Sequence, residues 1–174
     1  MARIAFQDIN VLPDFLDQVA YELVLGVIPG AGDSRRLTLH CQQVSIPGAG
    51  NEAWEVLLHG HTFRQRGRKT FPRQLSVTFV EGGDMAVYNM LKEWDEFIAG
   101  SESGNSQTYK QGYVITAFLN VYDTTGAISG IIRFDNFFLQ EISDIQMDGT
   151  SSGQVAVSVT FSYDRAVNGR TALR

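Results

Sequence analysis

The sequence predicts a mainly β domain (α+β) with one flanking α-helix, and three observations carry that prediction. Several stretches alternate apolar and polar residues with period two. The cleanest sets Val155, Val157, Val159, Phe161 and Tyr163 against Gln154, Ser158, Thr160 and Ser162. Such alternation puts one strand face on a core and the other in water. Helical periodicity is sustained over a useful length only in residues 84–99. Turn-forming clusters separate the runs, and 17 glycines against 4 prolines suit a chain that turns often between strands.

The first strand is read at Tyr21, Leu23, Leu25 and Val27, alternating with Glu22 and Gly26 and ended by Pro29-Gly30. Before it, residues 1–19 are an N-terminal arm, either extended or with a short helical turn behind Pro13. The alternation of Leu37, Leu39 and Cys41 predicts a second strand, and Trp54, Val56 and Leu58 a third. Arg64–Pro72 reads as a basic loop. Leu75, Val77 and Phe79 alternate with Gln74, Ser76 and Thr78, and Gly82-Gly83 stops that strand.

Asp84 then stands as the expected N-cap of the helix, where a carboxylate accepts from free N–H groups. Tyr88, Leu91, Trp94 and Ile98 mark the face that packs on the sheet, with Lys92, Glu93, Asp95 and Glu96 largely opposite. Gly100 is placed to end the helix in a left-handed conformation. Beyond the polar linker Ser101–Gln107, Tyr113, Ile115, Ala117, Leu119 and Val121 form a strand. Asp123-Thr124-Thr125-Gly126 turns it into a partner through Ile128, Ile132 and Phe134. Phe137–Met147 reads as an extended, bent segment, Asp148–Gly153 as a turn, and residues 166–174 as a flexible tail.

At 174 residues the chain fits one domain with a real core. A net charge of −5 argues against a general nucleic-acid-binding surface. Cys41 is the only cysteine, so neither an intramolecular disulfide nor a cysteine zinc site is expected. No stretch reads as a signal peptide or a membrane span, so folding in a cytosol and no membrane partner are expected. Charge is segregated, however. Residues 61–80 hold Arg64, Arg66, Arg68, Lys69 and Arg73 and no acid, whereas residues 81–105 hold six acids against Lys92. Segments of opposite sign complement each other within one molecule or between copies. A solvated basic loop, or a nucleic-acid contact, are the other readings of the first segment, the last weakened by Phe71 being its only interleaved aromatic.

Catalytic chemistry finds no support. His59 and His61, two apart on an expected strand, share a face and form a possible metal pair with His40 as a third ligand, but no carboxylate has ligand spacing nearby, and hydrogen-bonded strand histidines are the preferred reading. Cys41 keeps the apolar parity of Leu37 and Leu39 and reads as a small core residue. Asp95 and Glu96 read as solvated helix charges. Gly30-Ala31-Gly32 and Gly48-Ala49-Gly50 lack the Lys-Ser/Thr end of a phosphate loop. No catalytic residue, metal or cofactor is assigned. The strands instead present a polar, uncharged face rich in Ser, Thr and Gln, and the last strand carries no charge or proline to blunt an open edge. It needs a neighbour, within the chain or from another copy.

The order of these elements resembles the tail-tube proteins of contractile bacteriophage tails. The resemblance is carried by Val44-Ser45-Ile46-Pro47-Gly48, by the basic turn Gly67-Arg68-Lys69-Thr70-Phe71-Pro72-Arg73 leading into Leu75–Phe79, and by Gly82-Gly83-Asp84 before a helix with Leu91, Trp94, Phe97 and Gly100. The hairpin Val121-Tyr122-Asp123-Thr124-Thr125-Gly126 and the strand Val157–Tyr163 complete it, over roughly residues 20–165. Asp135-Asn136-Phe137-Phe138 departs from the proline-aromatic stretch that family members often have there.

The resemblance implies an antiparallel β-sandwich or barrel-like subunit over residues 20–165, with one flanking helix. Hexameric rings of such subunits join their sheets into a continuous inner β-barrel and stack into a tube inside a sheath. Implied partners are further copies of the chain, the tail sheath protein, the tape-measure protein, and baseplate and tail-terminator proteins. Genome DNA passes through without specific binding. The implied location is the virion tail, after assembly in the host bacterial cytoplasm. Arg64, Arg66, Arg68, Lys69 and Arg73 are the expected ring-stacking contact. The type VI secretion tube protein, similar in fold, is one alternative. A ligand- or carbohydrate-binding β-sandwich, to which Trp54 would contribute, is another.

Overall fold

The structure is a computed structural model that describes residues 18–100, 109–147, 150 and 153–169. Most of the N-terminal arm, the linker Ser101–Gln107, most of the turn Asp148–Gly153 and residues 170–174 lie outside the described residues. The elements in order are β1 (Tyr21–Leu25), α1 (Arg35–His40), β2 (Cys41–Val44), β3 (Gly50–Leu58), β4 (His61–Thr70), β5 (Gln74–Val80), α2 (Ala86–Ala99), α3 (Lys110–Tyr113), β6 (Ile115–Tyr122), β7 (Ile128–Ile142), β8 (Ala156–Ser162) and β9 (Arg165–Gly169).

One sheet runs β1-β6-β7-β8-β5-β2, every pair antiparallel, with β9 added alongside β7. The long strand β7 organises it. Its first half pairs with β6 on one side and β9 on the other, and its second half pairs with β8. Asn136, at φ 54°, marks the bend between the halves, in the left-handed region where asparagine is tolerated. This is the path taken by Asp135-Asn136-Phe137-Phe138. The bend buries both Phe134 and Phe137, three residues apart, where strict alternation would bury only one of them.

The sheet curls into a barrel-like wrap, so that its end strands β1 and β2 meet and the Tyr21 hydroxyl donates to the Gln42 carbonyl. Inside lies one core. Leu23, Leu25, Ala117 and Leu119 come from β1 and β6, and Leu75, Val77, Phe79, Val157 and Phe161 from β5 and β8. Phe161 is its hub, stacked on Phe137 at 4.7 Å, tilted against Trp94 at 5.8 Å and edge-on to Phe79 at 6.4 Å.

Helix α2 covers the core through Val87, Leu91 and Trp94, all at 1% exposure or less. Of the face expected from the sequence, Leu91 and Trp94 are fully buried, while Tyr88 and Ile98 are half-buried and Ile98 packs at the margin of the core. The Trp94 indole N–H donates to the Tyr113 carbonyl at 3.3 Å, satisfying the polar end of a buried ring. Gly100 ends the helix in the left-handed conformation (φ 53°), its N–H donating to Glu96 O at 2.7 Å.

Four expectations are corrected. Leu37–Cys41 is not a strand: residues 35–40 form α1, which buries Leu37 and leaves Leu39 73% exposed. Residues two apart on a helix point to opposite sides, so the alternation was real but its period was not that of a strand. Asp84 is not the N-cap. Met85 holds that position, and Glu81, from the end of β5, supplies the carboxylate that meets the first helical N–H groups. The basic loop Arg64–Pro72 is largely strand β4. The tail begins as strand β9, pairing Arg165–Gly169 with Asp135–Ile131.

Candidate self-assembly surfaces

Two surfaces stand apart from the core. The first is the outer face of β2, β5, β8 and the second half of β7. Cross-strand register sets Thr78 against Ser158 and also Gln43, Ser76 against Thr160, and Gln74 against Ser162. Gln140 extends the row, accepting from Gln74 Nε2 at 3.2 Å. The only charge in this register is Glu141, opposite Thr160. This face carries no lysine or arginine. The opposite faces of the same strands carry Leu75, Val77, Phe79, Val157, Val159 and Phe161, all buried. The face is therefore rigidly backed, wet and nearly neutral, as the alternation in the sequence predicted.

The second surface is the β3–β4 hairpin, which forms a separate two-stranded sheet. Its turn is His59-Gly60, with φ 50° and 83°, the positive pair that a tight two-residue hairpin connection requires. The expected His59–His61 pair is thereby broken up: His59 lies in the turn and His61 opens β4. His40 sits on α1, its Nδ1 2.8 Å from the Val80 carbonyl. Among the described residues no group of three or more His, Cys, Asp or Glu could hold a metal ion. Cys41 is half-buried, and burial pushes its thiol pKa up to about 11, so it is a poor nucleophile.

The hairpin has two chemically distinct faces. Trp54, Val56 and Leu58 oppose Gln65, Phe63 and His61, giving an apolar strip. On the other face Ala53, Glu55 and Leu57 oppose Arg66, Arg64 and Thr62. A bulge follows, at which the missing side chain of Gly67 matters: a Cβ there would lie 3.0 Å from the Glu52 carbonyl oxygen.

The five basic residues are thus divided. Arg64 is paired with Glu55 at 2.7 Å, and Lys69 lies over the Phe71 ring at 4.9 Å. Arg66 and Arg68 are on the exposed strand, and among the described residues neither makes an ion pair. Arg73 sits apart from the hairpin, at φ 53° beside the start of β5, where its carbonyl accepts from Tyr163 N. Sequence reading missed the hairpin because its turn is His-Gly and not Asn-Gly; the signal was the glycine between two stretches of strand-forming residues.

A polar, core-backed sheet face and a projecting two-faced hairpin define a structural subunit built to associate with others. The chain belongs to the phage tail tube protein family, whose sequence model matches residues 4–168. It is a structural tail-tube protein. No curated protein matches the sequence.

Among solved structures the fold is similar to the anti-feeding prophage tube-terminating cap (12% identity, 92% of this chain and 95% of that one, TM-score 0.66). It is also similar to a chain of the extended sheath-tube complex of an extracellular contractile injection system, PVC (13% identity, 97% and 100%, TM-score 0.59). A type six secretion system protein is a third such structure (16% identity, 85% and 81%, TM-score 0.54). At these identities the likeness is one of fold.

Proposed function

We propose that the chain forms hexameric rings whose polar sheet faces join into a continuous inner β-barrel, and that the rings stack into the hollow tube of a contractile tail. The observation that carries this is the outer face of β2-β5-β8-β7, polar and almost uncharged on a sheet whose reverse is core. A wet channel needs such a wall, and ring closure pairs edges that would otherwise invite aggregation. With Glu141 its only charge, the wall offers DNA phosphates hydrogen-bonding groups and no cation, so a genome passes without sticking.

In this reading the proximate partner is the chain itself, and the protein is not an enzyme. Sheath, baseplate and terminator proteins are further partners, supported by the assemblies in which proteins of similar fold stand: a sheath-tube complex, a tube terminator and a baseplate. Tape-measure protein and genome DNA are the cargo, and assembly takes place in the host bacterial cytoplasm. The hairpin is the stacking element, its basic face with Arg66 and Arg68 meeting acidic surface on the next ring. Negative-stain microscopy of the purified protein tests the reading: rings with six-fold symmetry, or tubes, are expected, and a monodisperse monomer at all concentrations would end it.

The likeness to injection-system structures favours a second reading, a tube that delivers effectors and not a genome. Purified particles decide between them: attached capsids with DNA support the phage tail, and headless particles support the injection system.

A further inference from the structure

Trp54 is 54% exposed, Leu58 52% and Phe63 52%, all on the same face of a hairpin that shares no sheet with the rest of the chain. A two-stranded hairpin is marginal by itself, and an aromatic-rich strip of this kind is normally covered. At the hairpin's root lies a groove of about 640 Å³, open where β1 and β6 part from β2. Tyr21, Val44, Ile46, Leu119 and Val121 line it, and its remaining lining residues include no acid or base. We propose that the apolar face of the hairpin docks, through Trp54, into this groove on a second copy of the chain. The inference rests on the tube reading and names the contact that joins copies within it.

Three features support the match. The strip and the groove are both uncharged, so docking leaves no ion buried without a partner. The volume accommodates an indole and a neighbouring aliphatic side chain, and a central Trp filling a pocket is the commonest anchor of an interface. The third is directional. The groove wall at Gln42–Ile46 runs straight on into β3 at Gly50, so each hairpin springs from beside its own groove. Hairpin-into-groove contact therefore joins two different surfaces and repeats in one direction, the head-to-tail geometry that extends a stack instead of closing a pair. The basic face of the same hairpin remains outside the groove, available for register and encounter, while the apolar face holds the contact.

The test uses full-length protein carrying Cys41→Ser, so that no native thiol remains. Trp54→Cys protein is mixed with Ile46→Cys protein under mild oxidation. A disulfide-linked dimer in the mixture, absent when Trp54→Cys is oxidised alone, is expected. No cross-link in a mixture that still assembles, or cross-linking of Trp54→Cys to itself, overturns the docking. So does protection of the Ile46→Cys thiol in the monomer, which would mean that the chain's own residues already fill the groove.

In parallel, Trp54→Ala should raise the concentration needed for assembly at least tenfold with an unchanged melting point, while Leu57→Ala, on the opposite face, should change it less than threefold. Assembly of Trp54→Ala at the unsubstituted concentration overturns the docking but leaves the tube reading standing. An unsubstituted chain that never assembles sinks the tube reading, and the docking with it.

Discussion

Glu81 caps the helix that begins after it by reaching Tyr88, seven residues on: its Oε2 accepts from the Tyr88 N–H at 2.8 Å. Its Oε1 accepts from Val87 at 3.1 Å and from Gly82 at 3.0 Å, so one carboxylate holds three backbone donors at the strand-to-helix junction. Asp84, the residue with the expected position, accepts only from Ala86 at 3.3 Å and pairs instead with Arg36. Glu81→Ala should therefore cost about 1–2 kcal/mol, the usual range for a lost cap, and Asp84→Ala should cost less. Urea denaturation of both variants measures the difference. Equal losses would show that the cap is shared.

Trp94 is fully buried against Phe161. Trp94→Ala should destabilise the fold by about 3–5 kcal/mol, a large share of a domain's total. Trp94→Phe should cost about 1–3 kcal/mol, because the Tyr113 carbonyl loses its indole partner while much of the ring volume stays. An unchanged melting point for Trp94→Ala would remove the helix from the core.

Asp164 accepts from Lys110 Nζ at 2.6 and 2.7 Å and from Asn136 Nδ2 at 2.7 Å. The Lys110 bond first, and the Asn136 bond second, hold its carboxyl below the usual value. Asp123 is lowered as well, chiefly by the Thr125 hydroxyl. A carboxyl depressed in the folded state takes up its proton first in the unfolded chain. Its contribution is present above the unfolded value near 3.8 and is lost as pH falls through the folded one. Stability should thus be flat from about pH 7 to 5 on account of these groups and decline below about pH 4. Both carboxyls are exposed to solvent, so the effect is modest. Urea midpoints across that range should decline less steeply for Asp123→Asn with Asp164→Asn than for the unsubstituted chain.

Arg66→Glu with Arg68→Glu reverses the charge of the two strand arginines that make no ion pair among the described residues. The fold should survive, since neither contributes to the core, while tubes fail to extend. Each exposed pair is worth only about 0–1 kcal/mol, but repetition around every ring joint multiplies it. Elongation of the unsubstituted protein should weaken as salt brings the Debye length below about 10 Å. Tubes of normal length from the double variant would return these arginines to a solvated role.

Much of the fold was legible because the strongest signals were local. Val157–Tyr163 and Leu75–Phe79 alternate in a way that survives in burial residue by residue. Asp123–Gly126 forms its turn through the Asp123 side chain, which accepts from Thr125 N and Ala127 N, with Gly126 at φ 80°. Leu37, Leu39 and Cys41 misled because three residues cannot separate a short helix from a short strand. The neighbouring Asp33, accepting from Arg35 N at 3.0 Å, was the local sign of a helical start.

Period, turn chemistry and the single helix were properties of the sequence by itself, since each depends on residues within a few positions of one another. What only the tertiary structure decided was partnership. Arg64–Thr70 is strand and not loop because Phe63 faces Val56 and Arg64 faces Glu55 across the hairpin. Residues 165–169 are strand because β7 runs past β8 and leaves room beside its first half. Glu81 is a cap because Gly82 and Gly83 fold the chain back over it. Such contacts repay the entropy of closing a loop only when both sides are present, so no window of sequence shorter than the pair contains them.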